Sequence, residues 1–171
     1  SNISIDWRKK VVFETSPAAM SITRYTAKTV VLPVKKYPEV TEDIVFENGD
    51  KRVVIGAKSG LIESYVVHGK EYAEGRLFVP KMYDDTPDPW GMNEPFVGHN
   101  PAELTLLEKP DGVFEGMKSV QIIEDGEIYL GVEAFFGTGL TRVRLGYKIY
   151  KDGSAVDIEA NVFPNEASKA I

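Results

Sequence analysis

The chain alternates. From Arg142 to Val162 it reads RVRLGYKIYKDGSAVDIEANV. Val143, Leu145, Tyr147 and Ile149 stand against Arg142, Arg144 and Lys148. Past the Lys151-Asp152-Gly153-Ser154 turn, Val156, Ile158, Ala160 and Val162 stand against Asp157, Glu159 and Asn161. Successive side chains on an extended strand point to opposite faces, so each stretch has one face to bury and one to wet, the habit of antiparallel sheets. The basic and acidic wet rows are expected to pair across the two strands, at about 0.2–1 kcal/mol per pair.

The same period runs through most of the chain. DIVFENGDKRVVIGA is two apolar runs around Asn48-Gly49-Asp50, a hairpin signature expected to use the positive φ angles that Asn-Gly favours. GLIESYVVHGKEYA is a strand with a turn at Gly69-Lys70, and GRLFVPKMY is another strand. MKSVQIIEDGEIYLGVEAFFG is two strands around Glu124-Asp125-Gly126. Near the start, KKVVFETS and SITRYTAKTVVLPV are also expected to be strands. The second sets Ile22, Arg24 and Thr26 against Thr23, Tyr25 and Ala27. Asn100 to Pro110 is either one short helix, with Asn100 as its cap and Pro101 in the first position, or a loop. Many short strands joined by tight turns predict an all-β fold, an antiparallel β-sandwich. Leu32 to Asp43 holds two prolines and mixed charge and is the best boundary. It divides a leading β segment, 1–36, from a sandwich domain, 37–171.

Composition narrows function by exclusion. The 171 residues carry a net charge of -6, against the basic surface of a nucleic-acid binder. No polybasic segment and no apolar run of about 20 residues points to a membrane. Cysteine is absent, so disulfides and thiolate chemistry are excluded, which is compatible with a bacterial cytoplasm. The two histidines, His68 and His99, lie far apart and argue against a complete zinc site in the chain. Each is expected to be an exposed turn or loop residue. Ser16, Ser59, Ser64 and Ser154 lack a nucleophile-elbow context. Gly137 and Gly139 form a GxG with no helix after it, so no nucleotide fingerprint is present. Glu133, mid-strand, is expected on a wet sheet face.

The stretch YDDTPDPWGMN, Tyr83 to Asn93, is the one place where chemistry concentrates. Asp84, Asp85, Asp88 and Trp90 admit four readings. They are a carboxylate pair for acid/base work, a Ca²⁺ loop of oxygen ligands, a sugar platform with Trp90 stacked on the ring, and a structural loop stiffened by Pro87 and Pro89. The spacing is not that of an EF-hand.

Several segments, in order, resemble glycoside hydrolase family 38, the α-mannosidases. They are VVFETSPAAMSITRY, IVFENGDKRVVIGAKSGLIESYVVHGKEY, DDTPDPWGM, IEDGEIYLGVEAFFG, RVRLGYKIYKDGSAVDIEANV and PNEASK. The likeness is to that family's central and C-terminal β-rich region alone. It implies part of a galactose-mutarotase-like supersandwich, lying beside a catalytic α/β barrel that carries the zinc and the aspartate nucleophile. Nothing in this sequence matches those catalytic motifs. The resemblance therefore implies a bracing domain without catalytic residues or a metal of its own, inactive by itself, whose parent holds zinc and acts on carbohydrate. Asp84, Asp85, Asp88 and Trp90 would then border the sugar pocket or lock the domain to the barrel.

The opening Ser1-Asn2 reads as a tag remnant, and the family's sheet normally runs on past the segment that ends at Ile171. A domain cut from a longer chain is thus expected, with an open sheet edge that invites self-association. The alternatives are a free-standing carbohydrate-binding module, with Trp90 and Tyr83 as its platform, and an independent mutarotase- or lyase-type enzyme using the aspartate loop and His99. The second alternative needs a base in a cleft that nothing in the sequence supplies.

Overall fold

The computed structural model describes residues 11–28, 30, 33, 35–85 and 100–171. The chain divides into two compact units, 1–36 and 37–171. Among the described residues of the first unit no strand forms; a turn sits at Ala19 and Met20. The two strands expected there are a correction. Alternation makes a segment capable of pairing, but a ladder needs a partner, and an isolated hairpin is marginal in water. What links this unit's two stretches is side chains: the Phe13 and Tyr25 rings lie 4.8 Å apart, and the Thr15 and Tyr25 hydroxyls hydrogen-bond.

The second unit is nearly all β, and its strand pairs are antiparallel. Strands β1 (Ile44–Glu47), β2 (Lys51–Ile55), β3 (Ile62–Val67) and β4 (Lys70–Glu71) form one sheet in chain order. Next come β5 (Lys81–Asp84), β6 (Ala102–Glu103) and β7 (Thr105–Leu106), followed by a 3-10 turn at Gly112–Phe114. Then β8 (Val120–Asp125), β9 (Tyr129–Thr138), β10 (Thr141–Tyr150), β11 (Val156–Phe163) and β12 (Lys169–Ala170) complete the unit. The large sheet runs β11-β10-β9-β7, with β8 also on β9, and a small third sheet runs β12-β5-β6.

The two larger sheets pack face to face as a sandwich. Val53, Ile55 and Ile62 of the first meet Val132, Ala134, Phe136, Val143, Leu145, Tyr147 and Ile149 of the second in one apolar cluster. β10 is buried at every second residue, as its sequence demands. β11 departs from that expectation. Val156 and Ile158 are half-buried, but Ala160 is exposed and Val162 is 41 % exposed. β11 is the sheet's edge, and the smaller sheet's longest strand has six residues against ten in β9 and β10. Among the described residues of this unit, the far end of the apolar row is left uncovered.

Local chemistry decided three further departures. Asn48 and Gly49 both keep φ outside the left-handed region. Asn48 Oδ1 instead accepts the N–H groups of Asp50 and Lys51 at 2.9 and 2.8 Å, an Asx turn. The next turn is His68-Gly69, one residue earlier than expected, with φ of 47° and 79°, the primed geometry that matches strand twist. Asn100 to Pro110 is neither helix nor plain loop. Asn100 has φ 46°, which no N-cap adopts, and the Leu104 and Leu107 N–H groups donate to Pro80 and Phe135 carbonyls, so ladder bonds displaced the helix.

Glu71 shows how this unit settles an exposed carboxylate. It accepts from Ser64 Oγ at 2.5 Å and from the N–H groups of Tyr65, Ala73 and Tyr72 at 2.8, 2.9 and 3.0 Å. The Ser64 hydroxyl first, then these amides, hold its pKa down at about 2, from 4.5. The ionised form is the one the fold binds. Its contribution is present above about pH 4.5 and is lost as pH falls toward 2. A carboxyl-carbon NMR titration should place the Glu71 midpoint near 2, and Glu71→Gln should remove that acid limb from the β3–β4 hairpin's exchange protection. A midpoint in the ordinary range sinks the prediction.

Tyr147 gives the opposite limb. It is fully buried, and its hydroxyl donates to Gly60 O at 2.9 Å. Burial pushes its pKa well above 10.0. The unfolded phenol ionises first, so stability is intact below about pH 10 and falls as pH rises beyond it, by about 1.4 kcal/mol per unit for this one proton. Tyr147→Phe should cost about 1 kcal/mol at neutral pH and flatten the alkaline slope by that amount in urea titrations. An unchanged slope would refute it.

Candidate functional site

Three places on the second unit carry polar groups in a setting that could do something. The first is the foot of the aspartate loop. Asp84 ends β5, where Lys169 of β12 pairs with one carboxylate oxygen. The other oxygen accepts Asn100 Nδ2 at 2.5 Å, and the Asp85 N–H donates to Ser168 O at 2.9 Å. Asp84 is therefore a neck residue: it ties the two ends of segment 85–100 to each other and to the chain's last strand. Asp85 is exposed just beyond the neck. Asp88, Trp90 and His99 lie outside the described residues, so the structure brings together Asp84 and Asp85 alone of the four loop residues singled out by sequence. Among the described residues, no group of three or more His, Asp or Glu is placed to hold a metal ion.

The second place is a cleft of about 1060 Å³ at one end of the sandwich, between the 57–61 turn, β6, β7 and residues 116–120. Its rim is crossed by ion pairs, Arg76 to Glu103 at 3.3 Å and Lys118 to Glu39 at 2.9 Å. Ser59 Oγ donates to Glu63 Oε1 at 2.6 Å and accepts the Leu61 N–H at 3.3 Å. This serine braces its own turn. No histidine of the described residues lines the cleft to serve as a base.

The third is the outer face of the large sheet. Arg144 bridges two strands: Nη1 donates to Glu133 Oε1 at 2.5 Å and Nη2 to Glu159 Oε1 at 2.8 Å. The expected pairing of basic and acidic rows is realised here. Glu133, expected on a wet face, is instead 8 % exposed, because Arg144 and Gln121, which reaches Oε2 at 3.1 Å, lie over it. Farther along, Tyr150 donates to Asp157 at 2.7 Å, and Tyr129 donates to Glu124, which raises the Tyr129 pKa to about 12. At the opposite end Phe114 packs on Phe135 and Phe163, with ring centroids 4.7 and 5.4 Å away, and Arg142 grips Asp111 through both carboxylate oxygens. Between these ends lies an open trough of about 450 Å³ floored by β9 and β10.

Comparisons with protein-family models, with curated proteins and with solved structures each returned no match. Two features escaped the sequence: the near-complete burial of Lys51 at the sandwich's end, and the bare floor of the trough at Gly146. Glycine in the middle of an otherwise clean alternation was the signal for the second.

Proposed function

We propose that this chain is a non-catalytic β-sandwich domain of a larger, α-mannosidase-like glycoside hydrolase, where it braces a catalytic barrel and shapes the rim of the sugar pocket. The supporting observation is the neck at Asp84. Asn100, Lys169 and the Asp85–Ser168 bond fix both feet of a segment that carries Asp88 and Trp90. A long connection anchored this firmly is a means of presenting side chains to something outside the sheet. The carboxylates at Asp84, Asp111, Glu133 and Glu159 are held by lysine or arginine, as suits a bracing domain more than an acid/base site. Asp84 then works by positioning, and Asp85, Asp88 and Trp90 are the residues offered to the pocket.

The deciding experiment is the intact mass and zinc content of the gene product purified from its source. A mass several times 19.0 kDa with about one bound zinc is expected. A product near 19.0 kDa without metal overturns the reading and leaves a free-standing carbohydrate-binding module in its place. The open β11 edge, with Val162 and Phe163 exposed, adds a second expectation, self-association of the isolated chain. Light scattering that finds a strict monomer at high concentration would remove it.

A further inference from the structure

Gly146 stands midway along β10 on the outer face, and neither conformation nor packing calls for glycine there. Its φ is not in the left-handed region. A Cβ added to it would meet nothing closer than Glu159 O at 3.8 Å and Glu159 Cβ at 3.9 Å, ordinary contacts. Gly131, by contrast, is explained: its Cβ would press on Ile123 at 3.2 Å and Glu124 at 3.3 Å. Glycine weakens a strand interior, and one without a structural cause marks a place where a ligand or another backbone comes close.

The surroundings of Gly146 say which. Its cross-strand partners are Glu133 on β9 and Glu159 on β11. Arg144 and Lys148 lie two residues either way along β10 on the same face. Arg144 ties Glu133 to Glu159, with Glu133 beneath it and Gln121, so the exposed polar groups around the notch are Glu159, the outer side of Arg144 and Lys148, over a floor of strand backbone. An anion seated there meets the Glu159 carboxylate, and a cation meets both basic groups. An added strand cannot form a ladder on a sheet's face, because the backbone groups point along the sheet. A neutral ring edged with hydroxyls satisfies every side, since a hydroxyl both donates to carboxylates and accepts from lysine and arginine. The trough of about 450 Å³ lies within the range of small-ligand sites.

We propose that the notch over Gly146 binds one saccharide unit, its apolar face on the strand backbone and its hydroxyls among Glu159, Arg144 and Lys148. The site shares no residue with the aspartate loop and does not rest on the parent-enzyme reading. Mass and zinc content decide that reading; binding to this chain decides this one.

The test is amide NMR of the 171-residue chain titrated with the methyl α-pyranosides of glucose, mannose and galactose at high millimolar concentration. Sodium acetate and tetramethylammonium chloride are the charge controls. At least one glycoside should shift the Gly146 amide and its neighbours on β9 and β11, and neither salt should. Gly146→Val should weaken that binding about tenfold or more without lowering the melting temperature. If that variant fails to fold, Gly146→Ala, whose Cβ makes ordinary contacts, carries the same comparison. The proposal is overturned if no glycoside moves the Gly146 amide, if the variants bind as tightly as the parent sequence, or if a salt shifts the same amides equally.

Discussion

Replacing Lys51 by methionine is expected to destabilise the sandwich by about 2–3 kcal/mol. Lys51 opens β2 and is 2 % exposed. Its ammonium has three protons to donate. They go to Tyr150 O, to Gly153 O at 2.9 Å and to Ala155 O at 3.1 Å, the carbonyls of the β10–β11 turn. Asn48 Nδ2 donates to Lys151 O at 2.9 Å and Tyr65 OH to Ser154 O at 2.6 Å, so three side chains of the β1–β4 sheet and its first turn hold one turn of the large sheet. Burial lowers the Lys51 pKa, while Asp152 and Asp50 pull the other way. Methionine keeps the stem's bulk and removes the donors. Three carbonyls then lose their partner, and an orphan that water cannot reach costs about 1–3 kcal/mol; Gly153 and Ala155 are exposed, so water recovers part of that cost. Urea unfolding of Lys51→Met and Asn48→Ala would check this. The expected order is a large loss for the first and about 1 kcal/mol for the second. A loss under about 1 kcal/mol for Lys51→Met would mean the turn's carbonyls are already hydrated and the clamp does not join the sheets.

Lys51 also marks where sequence stops informing. In the string GDKRVV it looks like any charged residue after a turn. Its burial depends on carbonyls 99, 102 and 104 residues away, and no local pattern encodes such a meeting. β9, β10 and β11 were legible for the converse reason. Period two is a property of one strand's own geometry, and a slip of one residue would expose Val143, Leu145, Tyr147 and Ile149 together. The first unit carries a similar alternation without strands among its described residues, since alternation states what a segment can do and not whether a neighbour arrives. At Asn100 the residues of a good cap were present, but the segment after it found ladder partners in the Pro80 and Phe135 carbonyls. The loop's chemistry was legible as a concentration of aspartates. The commitment of Asp84 to the neck was not, because Lys169 lies 85 residues away. Gly146 was visible as a break in the pattern and acquired meaning only when Glu133 and Glu159 were found on either side of it.

Arg144→Met is expected to cost about 2–4 kcal/mol at neutral pH, and recovery of that loss in a double variant is its signature. Arg144 is the hinge of the outer-face network: its side chain is 28 % exposed, and that of Glu133 beneath it is 11 % exposed. Removing one member of a largely buried pair leaves the other charge uncompensated, which costs far more than the pair contributes. Gln121 remains to Glu133 as a neutral donor and cannot replace a guanidinium. Adding Glu133→Gln to Arg144→Met removes the stranded charge and should recover most of the loss in urea unfolding. A deficit below about 0.5 kcal/mol for Arg144→Met, or no recovery in the double variant, would place the pair among surface ion pairs that contribute little. Because Arg144 also forms one side of the notch over Gly146, Arg144→Met should weaken glycoside binding there as well. Gly146→Val should do so without the loss of stability, which separates the network's structural task from the one proposed for the glycine.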